Sequence, residues 1–458
     1  MLWNVAEVRI LLIAWYFPPH NDVGALRTSA LAHYLASRGH DIRVLSAVRD
    51  MPDSSLRMPI KEDWVVRTPW IDVDSWSIRR EGRSPRPLTR TSQSVPRRLK
   101  RSAVRSALGI QYRNIIRMPD RQIGWLPYLR SAGERLLSNQ KFDLILASGP
   151  PFTTFLGARA LSKKFGVPWF AEYRDAWFED LYNERPAWRR FLDRHFENLT
   201  IKSARGIVAV SEPWAQIFSN RFKTKPIIAV YNGFDAMERP VTDLEATTGK
   251  VLSITYTGVL YQGKRDPSCL YRALKLSNLT PEDVQIHYYG PAASEIFPLA
   301  EKFGVMDFVR LFERVPYTQS IDIQCRSDVL LLLQPGDDKA NVPAKFFEYI
   351  AARRPILGLG LDTGVPAQII RSRSAGHYDT SPEKVAEQLK QWVAQKRREG
   401  HIPDLSETVA AGLSRGEQME RLIGFLKTHI GLYEPRLSAL QHPCGLRPDI
   451  SNEAEGAL

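Results

Sequence analysis

Lys345 and Glu348 stand three residues apart in the stretch VPAKFFEYIAARRP. Pro343 suits the first turn of a helix, where its missing N–H is no loss. The free amides of that terminus and the helix dipole together favour an anion. Lys345 adds a positive charge beside them. Glu348, one turn on, can face the same cleft, where a carboxylate can accept two hydroxyls of a sugar. The pair would then read a phosphate and a ribose of one nucleotide. The plainer alternative is a surface helix carrying an i,i+3 ion pair.

Other stretches bear chemistry of the same kind. YTGVLYQGKRDP ends a strand at Gly258 and then presents Lys264 and Arg265 on a glycine loop. Two cations there suit a departing diphosphate, or form a solvated turn. In FPPHNDVGALR, Gly24 would let a ligand approach the backbone. The loop is not GxGxxG, so a nicotinamide cofactor has no support, and no cofactor is expected. AEYRDAW closes another strand with Glu172, Arg174 and Asp175, either over a cleft or as a salt-bridged terminus. His20 could serve as an acid or base, but a lone loop histidine is more often a bystander. Asp72 and Asp74 in IDVDSW could hold a divalent ion, yet two spaced aspartates are common by chance, and no metal is expected.

The elements that must position these residues alternate. RILLIAWYF is a continuous apolar run, as in a strand buried on both faces. A helical stretch ending at Gly39 follows, then the strand DIRVLSA, which completes a βαβ unit. FDLILAS, a helix closed by Gly166, VPWFAEYRD, GIVAVSE and IIAVYNGFD continue the series. After a polar linker (Val241 to Lys250) a second series begins with LSITYTG, the helix DPSCLYRALKL, VQIHYYG, FVRLFERVP and SDVLLLLQP. Two doubly wound halves are predicted, with ligands at the carboxyl ends of the strands and in the cleft between the halves.

The chain has 458 residues, long enough for two ordinary domains, and 43% of it is apolar. The net charge of +13 is concentrated. Twelve Lys/Arg and one acid lie between Arg79 and Arg117, a net of +11. Such a segment on a near-neutral body points to an anionic surface partner. Its run SVPRRLKRSAVRSALGIQYRNIIR mixes cations with Leu, Val and Ile, so Arg97, Arg98, Lys100, Arg101 and Arg105 could lie on anionic headgroups. A solvated linker is the alternative. No nucleic-acid module is readable, so nucleic acid is not an expected partner. Three cysteines without CxxC spacing argue against a disulfide frame or zinc site. No apolar run of about 18 residues occurs, and the first run lacks a basic leader and cleavage site. A cytoplasmic protein, peripheral on the inner face of the membrane, is expected.

Taken in order, these motifs resemble the family 4 glycosyltransferases, from about Arg9 to Lys427. The resemblance implies two facing Rossmann-like domains (the GT-B arrangement), with LSRGEQMERLIGFL as a helix that crosses back to the first domain. The implied division is 1–240 for an acceptor domain with a basic insert at about 50–120, 250–415 for the donor domain, 416–430 for the crossing helix and 433–458 for a flexible tail. It implies a hexosyltransferase-type enzyme that moves a sugar from a nucleotide diphosphate donor, with retention and without an obligate metal. The acceptor would be a glycan or lipid-linked glycan in polysaccharide or cell-envelope biosynthesis. By similarity Lys264 or Arg265 would hold the diphosphate with Lys345 assisting. Glu348 would bind the ribose, the backbone near Val315 would face the base, and Gly24 would lie beside the phosphate. Arg174 and Asp175 match a His-Asp pair near the reacting sugar.

The chain departs from that pattern in places. Ala340 stands where the first signature glutamate belongs, Val259 where arginine is usual, Arg353 where glycine is usual, and Arg174 where histidine is usual. A nucleotide-sugar epimerase on the same scaffold and a catalytically degenerate membrane-surface scaffold are the alternative readings.

Overall fold

The predicted apolar runs form two parallel sheets in a computed structural model, which describes residues 8–20, 22–49, 56–74, 111–112, 114–177, 185–235, 249–260, 264–336, 340 and 342–430. The first sheet contains β1 (Arg9–Ala14), β2 (Asp41–Ala47), β3 (Val65–Thr68), β4 (Leu144–Gly149), β5 (Trp169–Tyr173), β6 (Gly206–Ala209) and β7 (Ile227–Ala229). Their order is β3-β2-β1-β4-β5-β6-β7. The second contains β8 (Leu252–Thr257), β9 (Val284–Tyr289), β10 (Val309–Phe312), β11 (Val329–Leu333), β12 (Ile356–Leu359) and β13 (Gly376–Tyr378), in the order β10-β9-β8-β11-β12-β13. Strand order reverses at β1/β4 in one sheet and at β8/β11 in the other. In open parallel sheets such a switch point leaves a crevice at the carboxyl ends.

Helices cover both faces. On the first half they are α1 (Val23–Ser37), α2 (Leu126–Asn139), α3 (Thr153–Phe165), α4 (Ala187–Ile201) and α5 (Glu212–Arg221). The second half carries α6 (Ser268–Ser277), α7 (Ala293–Phe303), α8 (Tyr317–Arg326), α9 (Ala344–Ala351), α10 (Val365–Ser372) and α11 (Pro382–Glu399). The last helix, α12 (Arg415–His429), opens on a capping box in which Ser414 and Glu417 satisfy each other's amides. Its Met419, Leu422 and Leu426 pack with Ile10, Leu12, Leu35 and Val44 of the first half. The C-terminal helix therefore crosses back, as expected. Strand alternation divides the first core. Leu11 and Ile13 join one side with Trp125 and Phe155, while Ile10 and Leu12 join the other with α12.

The carboxyl edges of the two sheets face each other. Ser211, just past β6, donates from Oγ to the carbonyl of Ala340, just past β11, at 2.7 Å. Tyr231, past β7, sets its ring 5.8 Å from Phe347 of α9 and its amide 2.7 Å from Gln418 Oε1.

The structure departs from the sequence reading between residues 56 and 74. That stretch belongs to the basic insert, for which no strand is predicted, yet Val65–Thr68 adds an edge strand to β2. Four residues are too few to show a period of two amid Arg and Pro. The helix α2, which the motifs did not reveal, packs Leu129 and Ala132 into the first core.

Candidate functional site

The second half supplies a cationic corner. β8 ends at Thr257, and Gly258 turns the chain at φ 114°. Side chains rarely adopt that conformation, and a Cβ there would also stand 2.8 Å from Lys345 Nζ. α9 begins at Ala344 after Pro343, so Lys345 lies in its first turn, as the sequence predicts. Lys345 does not turn to Glu348. Its Nζ donates to the carbonyl of Thr257 at 2.6 Å and lies 3.9 Å from the centre of the Tyr256 ring. Burial, reinforced by the charge of Arg265, holds Lys345 well below the ordinary lysine range. Arg265 is half-buried, with its guanidinium on the carbonyl of Val259 at 3.2 Å. Two cations thus converge on a glycine turn at the carboxyl end of a central strand, where a diphosphate would relieve their repulsion.

Glu348 lies one turn along the same helix. Burial pushes its carboxyl up, against the hydrogen bond that Gln324 of α8 donates at 3.3 Å and the charges of Lys345 and Arg415. Gln324 also reaches Thr257 Oγ1 at 3.1 Å, so it ties the end of β8 to the carboxylate. Tyr317, at the start of α8, stands near Glu348, Arg415 and Asp235. Arg415 pairs with Asp235 and donates to the carbonyl of Asn232 at 3.2 Å, so the linker side of the first half closes this corner.

The first half contributes a second polar cluster at β1 and β5. Gly24, in the first turn of α1, packs so closely on the Arg174 guanidinium and the Tyr16 ring that a side chain there would collide with both. Arg174 lies 5.0 Å from the Tyr16 ring centre and donates to the carbonyl of Pro150. Burial holds its guanidinium below the ordinary arginine range. Behind it, fully buried Glu172 accepts from Arg27 Nε at 2.7 Å, and Arg27 also reaches Asn232 at 3.1 Å. Burial alone would push Glu172 up, but the charge of Arg27, aided by hydrogen bonds, holds it below the ordinary glutamate range. Asp175 is exposed beside this cluster.

The sequence-predicted residues therefore divide into groups. Gly24 and Arg174 touch, with Asp175 next in the chain. Lys345, Arg265 and Glu348 gather around Gly258. Lys264 is exposed on the same loop, and Val315 is half-buried between β10 and α8. Arg97, Arg98, Lys100, Arg101 and Arg105 lie outside the described residues. Asp72 and Asp74 are held by arginines: Arg117 donates twice to Asp74 at 2.8 and 2.6 Å, and Arg121 grips both carboxylates. Among the described residues, no group of three or more His, Cys, Asp or Glu could hold a metal ion. Arg353 occupies left-handed backbone at φ 56°, the conformation glycine adopts freely, and is tethered to Leu405 and Glu407. Tyr16, Arg27, Asn232, Gln324 and Arg415 escaped the sequence reading. Arg27 carried a usable signal, one helical turn beyond Gly24; Gln324 carried none.

Residues 24–233 match the family described as glycosyl transferase 4-like domain. The fold is similar to that of Anabaena HepE, solved with UDP and glucose, at 12% identity and a TM-score of 0.59, covering 92% of this chain and 100% of that one. It is similar also to the lipopolysaccharide outer core galactosyltransferase WaaB in its apo form, at 13% identity and 0.56, covering 92% and 99%. A UDP-N-acetylglucosamine 2-epimerase shares it at 13% identity and 0.51, covering 95% and 100%. No curated protein sequence matches the chain.

Proposed function

We propose that this chain, a family 4-like glycosyltransferase by its matched domain and its two Rossmann-like domains, moves a sugar from a nucleotide diphosphate donor to a glycan or lipid-linked acceptor. The observation that carries the donor half is the corner at Gly258. Lys345 is held where burial and Arg265 disfavour its charge, and Glu348 lies one turn along the same helix. A diphosphate accepts from Lys345, Arg265 and the first amides of α9, and it favours the charged form of the lysine. Glu348 accepts the ribose hydroxyls, and the backbone near Val315 faces the base. When the sugar–phosphate bond breaks, negative charge grows on the diphosphate, and cations already in place stabilise it without reorganising. Gly24 brings the opposing backbone close, and Arg174 and Asp175 stand on the side of the reacting sugar.

The HepE complex with UDP and glucose, and WaaB as a lipopolysaccharide outer core galactosyltransferase, support a hexosyl donor and an envelope or polysaccharide acceptor. Retention is carried by the family resemblance. We place residues 1–240 as the acceptor domain and 250–415 as the donor domain. The basic run from Arg97 to Arg105 is assigned to the inner membrane face; no helix among the described residues is long and apolar enough to cross a membrane.

The test is a thermal-shift and calorimetric panel of UDP, GDP, ADP and their sugar conjugates on wild type and Glu348→Ala. One nucleotide class is expected to raise the melting temperature. The variant should weaken it about tenfold to a hundredfold, the worth of a charged hydrogen bond. Equal affinity in the variant would remove Glu348 from the site. The epimerase structure favours a second reading; sugar isomerisation on the nucleotide with no acceptor present would establish it.

A further inference from the structure

Helix α4 is built inside out. It has only two carboxylates, Asp193 and Glu197, and both are fully buried. Asp193 accepts from Arg189 at 2.9 Å and Arg185 at 2.6 Å, and Glu197 accepts from the Tyr173 phenol at 2.8 Å. Arg189 also caps the carbonyls of Arg117 and Pro119, each at 2.8 Å. This polar lock sets the rotation of the helix, because turning it would strip buried charges of their partners.

The locked rotation turns the apolar residues to solvent. Trp188, Phe191, His195 and Leu199 follow one another at three- and four-residue steps, one stripe of a helix. Phe191 is 71% exposed, and Trp188 and Leu199 are exposed as well. Phe196 widens the stripe, and its ring lies 6.4 Å from that of His195. Exposed Arg190 and Arg194 flank it, and no carboxylate of α4 reaches the surface. Arg189 also donates to the carbonyl of Asn114, which brings Tyr112 and 60%-exposed Ile115 beside the start of α4. In sequence these two lie in the last part of the basic run, after Arg105.

We propose that the exposed face of α4 is a membrane-contact surface that inserts its aromatic stripe among anionic lipid headgroups. The proposal rests on the reading that the protein works at a membrane, and it adds a site on α4 apart from Arg97 to Arg105. Aromatic and aliphatic side chains flanked by arginines, with both acids of α4 withdrawn, match the interfacial zone of an anionic bilayer: apolar groups enter to the acyl boundary and cations stay at the phosphates. A second copy of the chain would bring the same arginines against each other and gains no opposite charge from this face.

The test is co-sedimentation with vesicles of phosphatidylglycerol and phosphatidylcholine in equal parts, and with phosphatidylcholine alone. Wild type is expected to bind the anionic vesicles. The double variant Phe191→Ser, Leu199→Ser should lower the partition coefficient roughly tenfold or more, while Phe191→Leu retains binding. The melting temperature and the nucleotide-induced shift should stay as in wild type, since both side chains are exposed. A fluorophore on Phe191→Cys should shift to the blue when anionic vesicles are added. Wild type that binds no vesicle overturns the membrane reading itself. Wild type that binds while the double variant binds equally overturns the α4 surface and leaves the basic run. A wild-type dimer that the double variant converts to monomer shows that a second copy covers this face and overturns the proposal.

Discussion

Lys345 and Glu348 are perturbed in opposite senses, and the proposed donor site therefore predicts a pH dependence of binding. The lysine is held well below its ordinary range by burial and Arg265, so the empty protein binds fewer protons there as pH rises. A bound diphosphate favours the charged amine, so binding takes up a proton above the free lysine's pKa and affinity falls with rising pH. The glutamate is raised by burial, whereas ribose hydroxyls favour its carboxylate, so affinity falls again as pH drops through that raised value. Calorimetry across pH should give a bell. Glu348→Gln should flatten its acid limb and Lys345→Met its alkaline limb, and a flat wild-type profile would count against both roles. Gly258→Ala carries both a left-handed backbone cost and a clash with Lys345, so it should weaken nucleotide binding more than it lowers the melting temperature.

Single elements carry their own predictions. In α4, Asp193→Ala leaves buried Arg189 and half-buried Arg185 without their carboxylate, and a loss of about 3–5 kcal/mol is expected in urea titrations. Replacing Arg189 and Asp193 together by Leu should cost less than the single change, because the deeply buried charge of Arg189 is then removed with its partner and only the partly exposed Arg185 loses a carboxylate. In α12, Leu422 is fully buried against the first half although it follows the second half in the chain. Leu422→Ala should remove about 2–5 kcal/mol, with the loss read in the melting of the first half. The edge strand β3 and helix α2 show what short or unmarked elements conceal: Val65–Thr68 has too few residues for a period, and α2 declares itself only by packing against α3.

At the scale of the whole molecule, the two sheets present their carboxyl edges to one cleft, and a nucleotide at the proposed Gly258 site would lie near the Arg415–Asp235 ion pair. Saturating donor nucleotide at about a hundred times its Kd should add about 2.7 kcal/mol of stability to wild type. Lys345→Met should lose most of that gain at the same concentration. The net charge of +13, with +11 of it between Arg79 and Arg117, makes the second whole-molecule prediction. Binding to anionic vesicles should fall steeply as salt rises, because exposed charges are screened within about 10 Å at 0.1 M. Salt-independent binding would shift the contact wholly to apolar groups.

The sequence by itself determined the two βαβ series and the motifs at Gly24, Gly258, Lys345 and Glu348, while the crossing helix came from the family resemblance. Continuous apolar runs, helix-ending glycines and a proline-opened helix are local signals, written in neighbouring residues. It also marked Arg353 as a departure, and that residue falls on backbone of the kind glycine adopts. Only the tertiary structure decided that Lys345 turns to Thr257 rather than to Glu348, that Gln324 links the carboxylate to β8, that Asp72 and Asp74 are neutralised by arginines, and that α4 hides its acids and shows its aromatics. Each of these depends on partners many residues away, and burial among them sets charge and direction. A sequence records which side chains exist; packing decides which of them meet.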